Sequence, residues 1–325
     1  MKLKTLVCII VLLMLFTVVQ NTRAQQVGST CFQFLKVNPD VRSTGMGDAL
    51  ASTSKYSMAM FGNPAVLNDI PRLDVSLSRT RWFFETNINA FAAAMRLGDI
   101  GTLGVHGMMV DLGEIEETSV ANLGYNANGE YNPGLTGRTI KPSSMVLGIT
   151  FARNLTDKFS FGLTGKWARQ DLVESSASGI SFDFGLKYQT GFRSIVLSAV
   201  MRNFGPNVKF EKEDFPLPQT MMLGFATDLL STKDGLLFDI PQQKLTVAFN
   251  MSQPRDYDQQ YHAGLEYALM EKFFLRAGYK INFDNEGLCY GGGIALSLFR
   301  LDYSFNSYGD YLENVHRFSF GFVLN

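Results

Sequence analysis

The feature that most constrains this chain is an alternation of period two that returns along most of its length. In the closing stretch HRFSFGFVLN, Phe318, Phe320, Phe322 and Leu324 fall on one face. Arg317, Ser319, Gly321 and Val323 fall on the other. Successive side chains of a strand point to opposite faces, so one side is apolar and the other small or charged. GISFDFGLKYQ (179–189) likewise sets Phe182, Phe184 and Leu186 against Asp183, Gly185 and Lys187. FSFGLTGKW (159–167) opposes Phe161 and Leu163 to Gly162, Thr164 and Lys166. Glu266 in YHAGLEYAL, Arg276 and Lys280 in FFLRAGYKIN, and Arg300 and Asp302 in FRLDYSFN all lie on the polar side of their segments.

Two architectures alternate in this way. A soluble sandwich buries the apolar face, whereas an outer-membrane barrel turns it to lipid and keeps the charges in its lumen. Aromatic residues make up 13% of the chain, with 27 Phe and 12 Tyr. Trp82, Phe83, Phe84, Tyr188, Tyr279, Tyr303, Tyr308 and Tyr311 are placed at strand ends, as interfacial girdles require. The pattern therefore predicts an all-β, antiparallel transmembrane barrel. Fourteen strands can be marked, at 72–84, 86–97, 101–114, 143–153, 159–170, 179–189, 193–203, 219–230, 244–251, 259–269, 273–282, 288–297, 299–306 and 314–324. The count is even, so both ends of the barrel chain belong on the periplasmic side. Outside connections are mostly long, the longest being 115–142, and inside ones mostly short. The short turn near Glu85 and the long inside connection 231–243 break that rule.

The chain opens with Lys2 and Lys4, an apolar run from Leu6 to Val19, and Thr22-Arg23-Ala24. That is the plan of a cleaved signal peptide of residues 1–24, and it implies export to the outer membrane. The run falls short of the ~20 apolar residues a helical span needs. The chain's 29 basic residues, less Lys2, Lys4 and Arg23, leave 26 against 30 acidic, a net charge of −4. That balance argues against a nucleic-acid partner. Cys31 and Cys289 remain after cleavage, and their expected places, at the start of the N-terminal segment and on a descending strand, predict two free thiols.

Between the signal and the first strand lies a segment of another kind, CFQFLKVNPDVRSTGMGDALASTSKYSMAMFGNPAVLND (31–69). Gly45 and Gly47 permit tight turns, and Asn63-Pro64-Ala65 can open a short helix with proline at its first position. A barrel of this size needs its lumen filled or plugged. Residues 25–70 are expected to form a compact hatch in the periplasmic mouth, ahead of a barrel spanning 71–325. The inward charges Lys166, Asp183, Lys187, Glu266, Arg276, Lys280, Arg300, Asp302 and Arg317 should pair with one another and with that hatch.

FLKVNPDVRSTGMGDALAST followed by NPAVLN, which includes Pro39, Arg42, Gly45, Met46, Gly47, Asp48, Ala49, Asn63, Pro64 and Ala65, resembles the N-terminal signature of the PorV/PorQ family of Bacteroidota outer-membrane proteins. That family belongs to the wider FadL-like barrels, so the resemblance implies fourteen strands and an N-terminal hatch. It also implies a role in type IX secretion. There the barrel takes secreted cargo with a C-terminal signal domain from the translocon and passes it to surface attachment.

No catalytic, cofactor or metal set emerges from the sequence. His106, His262 and His316 fall in different strands, and GLTGKW resembles the end of a phosphate loop but has Trp167 where Ser or Thr belongs. The chain reads as a non-enzymatic protein. Its main reading is a cargo-binding component of protein secretion; the alternative is FadL-like uptake of hydrophobic small molecules. The assigned inward positions are polar apart from Phe274, which weighs against the uptake route, because a lipophilic ligand is held by apolar burial.

Overall fold

The computed structural model describes residues 28–53, 56–126, 128–309 and 312–324; the expected signal peptide lies outside them. Strands in chain order are β1 (Leu73–Arg81), β2 (Asn87–Arg96), β3 (Thr102–Asp111), β4 (Ile115–Tyr125), β5 (Tyr131–Ile140), β6 (Ser143–Asn154), β7 (Phe159–Asp171), β8 (Ser176–Gln189), β9 (Val196–Phe204), β10 (Val208–Phe210), β11 (Glu213–Phe215), β12 (Thr220–Ser231), β13 (Phe238–Asp239), β14 (Gln243–Pro254), β15 (Gln260–Leu269), β16 (Phe273–Ile281), β17 (Leu288–Leu296), β18 (Phe299–Asn306) and β19 (Val315–Leu324). Fourteen of them form one closed antiparallel ring, β1-β2-β3-β6-β7-β8-β9-β12-β14-β15-β16-β17-β18-β19. The ring shuts where β1 pairs with β19, Leu73 opposite Leu324. Each ring strand matches one marked in the sequence.

The differences lie in the connections. Residues expected as a loop at 115–142 contain the hairpin β4–β5, a two-stranded sheet separate from the ring. A smaller hairpin, β10–β11, stands between β9 and β12. The long connection 231–243 adds β13, which pairs in parallel with the last residues of β12. The end of the barrel where β1 begins and β19 finishes is called here the terminus end, and the opposite one the loop end.

Alternation along the ring strands survives as burial. Leu77, Phe91, Leu163, Trp167, Phe184, Leu301, Phe318 and Phe320 are exposed on the outer wall, while their neighbours in sequence turn inward and are buried. Tyr188, Tyr279 and Tyr303 lie on that outer wall as a girdle requires. Trp82, Phe83 and Tyr308 do not. β1 ends at Arg81, and Trp82 and Phe83 turn in over the lumen while Phe84 stays exposed. There Trp82 meets Phe83 at 5.4 Å and Tyr308 at 5.5 Å between ring centroids. Tyr311 lies outside the described residues.

The lumen is filled, and it is not uniformly polar. Ile88, Ala90, Ala92 and Ala94 of β2, Met108 and Val110 of β3, Val146 and Ala152 of β6 and Ala168 of β7 are buried against Phe32, Phe34, Met58, Met60, Phe61 and Leu67 of the N-terminal segment. The opposite wall, β15 to β1, carries most of the inward charges. The expectation of a polar interior holds at the assigned positions, Lys166, Asp183 and Lys187 of β7 and β8 included, but not along β2 and the adjoining parts of β3 and β6. The small alanines of β2 leave room for the bulky apolar side chains of the hatch.

Candidate functional site

The hatch is built from short turns. Asp40 caps the single-turn helix α1 (Val41–Thr44), its carboxylate accepting the Arg42 N–H at 3.3 Å. Asn63 caps the 3-10 helix Pro64–Asp69, accepting the Ala65 N–H at 2.9 Å, with Pro64 at the first position where no N–H is needed. The expected helix start at Asn63-Pro64-Ala65 is therefore present.

Its position differs from the periplasmic mouth. The Cys31 N–H donates to the Pro216 carbonyl at 3.0 Å, and Thr30, Gln33 and Lys36 all reach Asp256. Pro216 and Asp256 belong to loop-end connections. At the other extreme, Ser57 bonds to Asp74 near the start of β1, Asn68 accepts from Thr102 at the start of β3, and Asp69 pairs with Lys187 near the end of β8. The segment thus runs the whole height of the lumen, from loop end to terminus end. The many side chains anchored along the wall explain why it is not confined to one mouth.

Contact with the wall is backbone to backbone in places. A Cβ added at Gly278 of β16 would overlap the Gly47 nitrogen, and one at Gly162 of β7 would overlap the Pro64 carbonyl carbon. Gly47 itself has φ of 64°, the left-handed region that suits glycine. Met46 and Ala49 are fully buried beside these contacts, Gly45 lies against Gly291, and Pro39 and Ala65 are buried.

Four of the inward charges, Glu266, Arg276, Arg300 and Asp302, form a chain that links hatch and wall. Arg42 grips Glu266 with two hydrogen bonds, Nε to Oε2 at 2.9 Å and Nη2 to Oε1 at 2.6 Å. Glu266 also accepts from Arg276 at 2.7 Å, and Arg276 donates on to Asp302 at 2.7 Å. Asp302 accepts from Arg300 at 2.9 Å; Arg300 lies 3.6 Å from Asp74 and stacks on Tyr56 at 3.3 Å. Asp74 returns the chain to the hatch through the Ser57 N–H at 2.8 Å. Three guanidiniums alternate with three carboxylates, so no charge in the series is left alone. Burial alone would lower the Arg42 pKa, but Glu266 outweighs it and raises it.

Other pairs are separate. Lys166 meets Asp183 at 2.7 Å and Asn203 at 2.5 Å. Lys280 is shared by Asp48 and Glu286. Burial pushes the Asp48 carboxyl up, but Lys280, His262 and Arg317 overcome this and hold it at about 2. Arg317 is the expected lumen charge that forms no ion pair with a carboxylate among the described residues; it donates to Asn306 and its guanidinium sits 5.1 Å from the Trp82 ring centre. The histidines stay apart: His106 packs on Phe61 at 4.5 Å, His262 contacts Gly47 O at 2.8 Å, and His316 contacts Tyr303 at 2.9 Å. Cys31 and Cys289 are both free and buried.

Sequence reasoning missed Asp74, although LDVSLSRTR places it on the same face as Ser76, Ser78 and Thr80. It also missed Arg202, which shares the inward face of β9 with Ser198 and Val200, and Asp256 and Glu286, which stand in connections where no alternation marks a direction.

Above the hatch, at the loop end, lies a cavity of about 400 Å³. Asn38, Asp48 and Leu50 of the hatch line it, together with Trp82, Phe83, Met222, Phe283 and Tyr308. Arg202 and Arg317 contribute charge. Beside it the β8–β9 ladder shifts register between Phe182 and Phe184, and the Asn203 N–H turns to the Asp183 side chain at 2.7 Å. A bulge of this kind bends a strand and interrupts its pairing.

No protein-family model and no curated protein matches the sequence. Solved structures do match its fold. The Pseudomonas putida toluene transporter TodX is similar with a TM-score of 0.61 and 14% identity, over 87% of this chain and 98% of that one. The CymD monoaromatic hydrocarbon channel gives 0.57 and 15%, over 90% and 99%. The Ralstonia pickettii toluene transporter TbuX gives 0.54 and 14%, over 90% and 100%. The protein is thus a closed, fourteen-stranded antiparallel barrel with the fold of these structures and its N-terminal segment inside.

Proposed function

We propose that this barrel is a non-enzymatic outer-membrane uptake protein that takes a small, largely apolar solute into the loop-end cavity. The observation that carries this reading is the cavity itself, floored by the hatch, with aromatic and aliphatic side chains such as Trp82, Phe83, Met222 and Tyr308 set among polar and charged ones. A fold shared with proteins described as toluene transporters and a monoaromatic hydrocarbon channel supports it. Periplasm then lies at the terminus end and the outside medium at the loop end. The bulge beside the cavity is where a sideways exit through the wall would run. Uptake of radiolabelled naphthalene by cells carrying the barrel, against cells without it, tests the reading. Faster uptake is expected, and equal rates overturn it.

Type IX cargo binding, as in the PorV/PorQ proteins, rests on one feature, the β4–β5 hairpin. Val120, Tyr125 and Tyr131 stand exposed on it with no part of the barrel covering them. Gentle detergent pull-down of the tagged barrel tests this second reading: secreted proteins sharing a C-terminal domain should be recovered, and recovery of the barrel alone counts against it.

A further inference from the structure

We infer that the solute is a small organic anion with a flat apolar body, such as an aryl carboxylate, held at its charged end by Arg202 and Arg317. This rests on the uptake reading and narrows its substrate class. Removing a charge from water is costly unless a partner replaces the water, so buried cations are normally paired. The cavity's two lysines obey that rule. Lys36 is met by Asp256 at 2.6 Å, and Lys280 by Asp48 and Glu286. Of the acids lining the cavity, only Asp284 is left over, and it is exposed in the connection between β16 and β17.

The two arginines break the rule. Arg202 is 7% exposed and gives one hydrogen bond, to the Leu35 carbonyl at 3.1 Å; its Nε–H has no partner. Arg317 is 2% exposed and its Nε–H is likewise unpartnered. Neither forms an ion pair among the described residues, and both line the cavity. A guanidinium presents a planar fork of donors suited to a carboxylate. Trp82, Phe83 and Tyr308 form a mutual aromatic cluster beside Arg317, a surface on which a flat ring can stack. A neutral hydrocarbon would bury its area there but leave Arg202 with only the Leu35 carbonyl and Arg317 with only Asn306 as acceptors, and no carboxylate in contact with either among the described residues. An acid of the same shape satisfies both demands.

Equilibrium dialysis of the full-length, detergent-purified barrel with 1-naphthoate and with naphthalene tests this. Naphthoate should bind at least about 10-fold more tightly, the effect of a hydrogen bond to a charged group. R202Q and R317Q should each weaken naphthoate by about 10-fold or more and leave naphthalene within about two-fold. R317K, which keeps the charge in that buried place, controls for folding and should retain most naphthoate binding. Equal affinity for the two probes, or variants that weaken both alike, overturns the anion inference and leaves the uptake reading standing. Failure of both probes to bind overturns both.

Discussion

The two sides of the lumen hold the same hatch by different physics. On the β2–β7 side the contact is apolar, with Met58, Met60, Phe61 and Leu67 packed on alanine, valine and methionine of the wall. On the β15–β1 side it is ionic, a series of alternating guanidiniums and carboxylates from Arg42 to Asp74. Apolar burial is non-directional and tolerates small shifts. Buried charges work only when every partner is in place, and removing one strands another. The apolar side therefore supplies cohesion, and the ionic side fixes the height and rotation at which the hatch sits.

The sharpest way to break this comparison is to put bulk between hatch and wall. G278A on the ionic side sets a Cβ on the Gly47 backbone, and G162A on the apolar side sets one on the Pro64 backbone. Neither clash can be relieved by rotating a side chain. Trypsin should cut within residues 30–70 in both variants and spare the wild type.

Next in size is E266A, which leaves Arg42 and Arg276 facing each other without their shared carboxylate. A loss of about 4 kcal/mol in denaturant titration is expected. Replacing Arg42, Glu266 and Arg276 together by apolar residues of similar volume should cost far less, since no charge is then stranded. If the triple variant is as unstable as E266A, the account of the ionic side is wrong.

L67A, on the apolar side, should cost about 3 kcal/mol through lost burial and a cavity. Unlike the charge variants, its loss should be the same in low and high salt.

Acid should distinguish the sides more gently. Asp48 has its pKa depressed from 3.8 to about 2, so its contribution is complete above 3.8 and fades as pH falls through about 2. Protease protection of residues near Asp48 should fall over that range while protection near Leu67 persists. The smallest effect concerns Cys31. Burial raises its thiol to about 11, so alkylation at pH 8 should be slow in the folded barrel and fast once it is denatured.

Ring strands were legible because the wall has two unlike surroundings, and period two records them directly. Phe318 to Leu324 and Phe182 to Leu186 show this in their burial. The N-terminal signature likewise marked Arg42, Asp48 and Asn63, which lie on the contacts that hold the hatch. What alternation cannot record is where a non-strand segment travels. Nothing in the spacing of Cys31, Gln33 and Lys36 says that they meet Pro216 and Asp256, since those contacts join positions 185 to 223 residues apart. The turn of Trp82 and Phe83 over the lumen was equally hidden: aromatic residues after a strand suit a girdle or a lid, and only the tertiary path decides. The apolar half of the lumen was obscured because alanine serves as a small lumenal residue and as the floor for a larger side chain.

The course of the hatch also carries a consequence for biogenesis. Its first described residues touch loop-end connections, its last meet the beginning of β1, and the seam between β1 and β19 joins the two ends of the barrel chain. With residues such as Met46 and Ala49 held against the wall on the way, a finished ring offers no passage through which this segment could be threaded afterwards. Strands that gather around the segment while it folds avoid that threading. The plug is a template for the cylinder, and a chain that begins at β1 has to find its circumference without one.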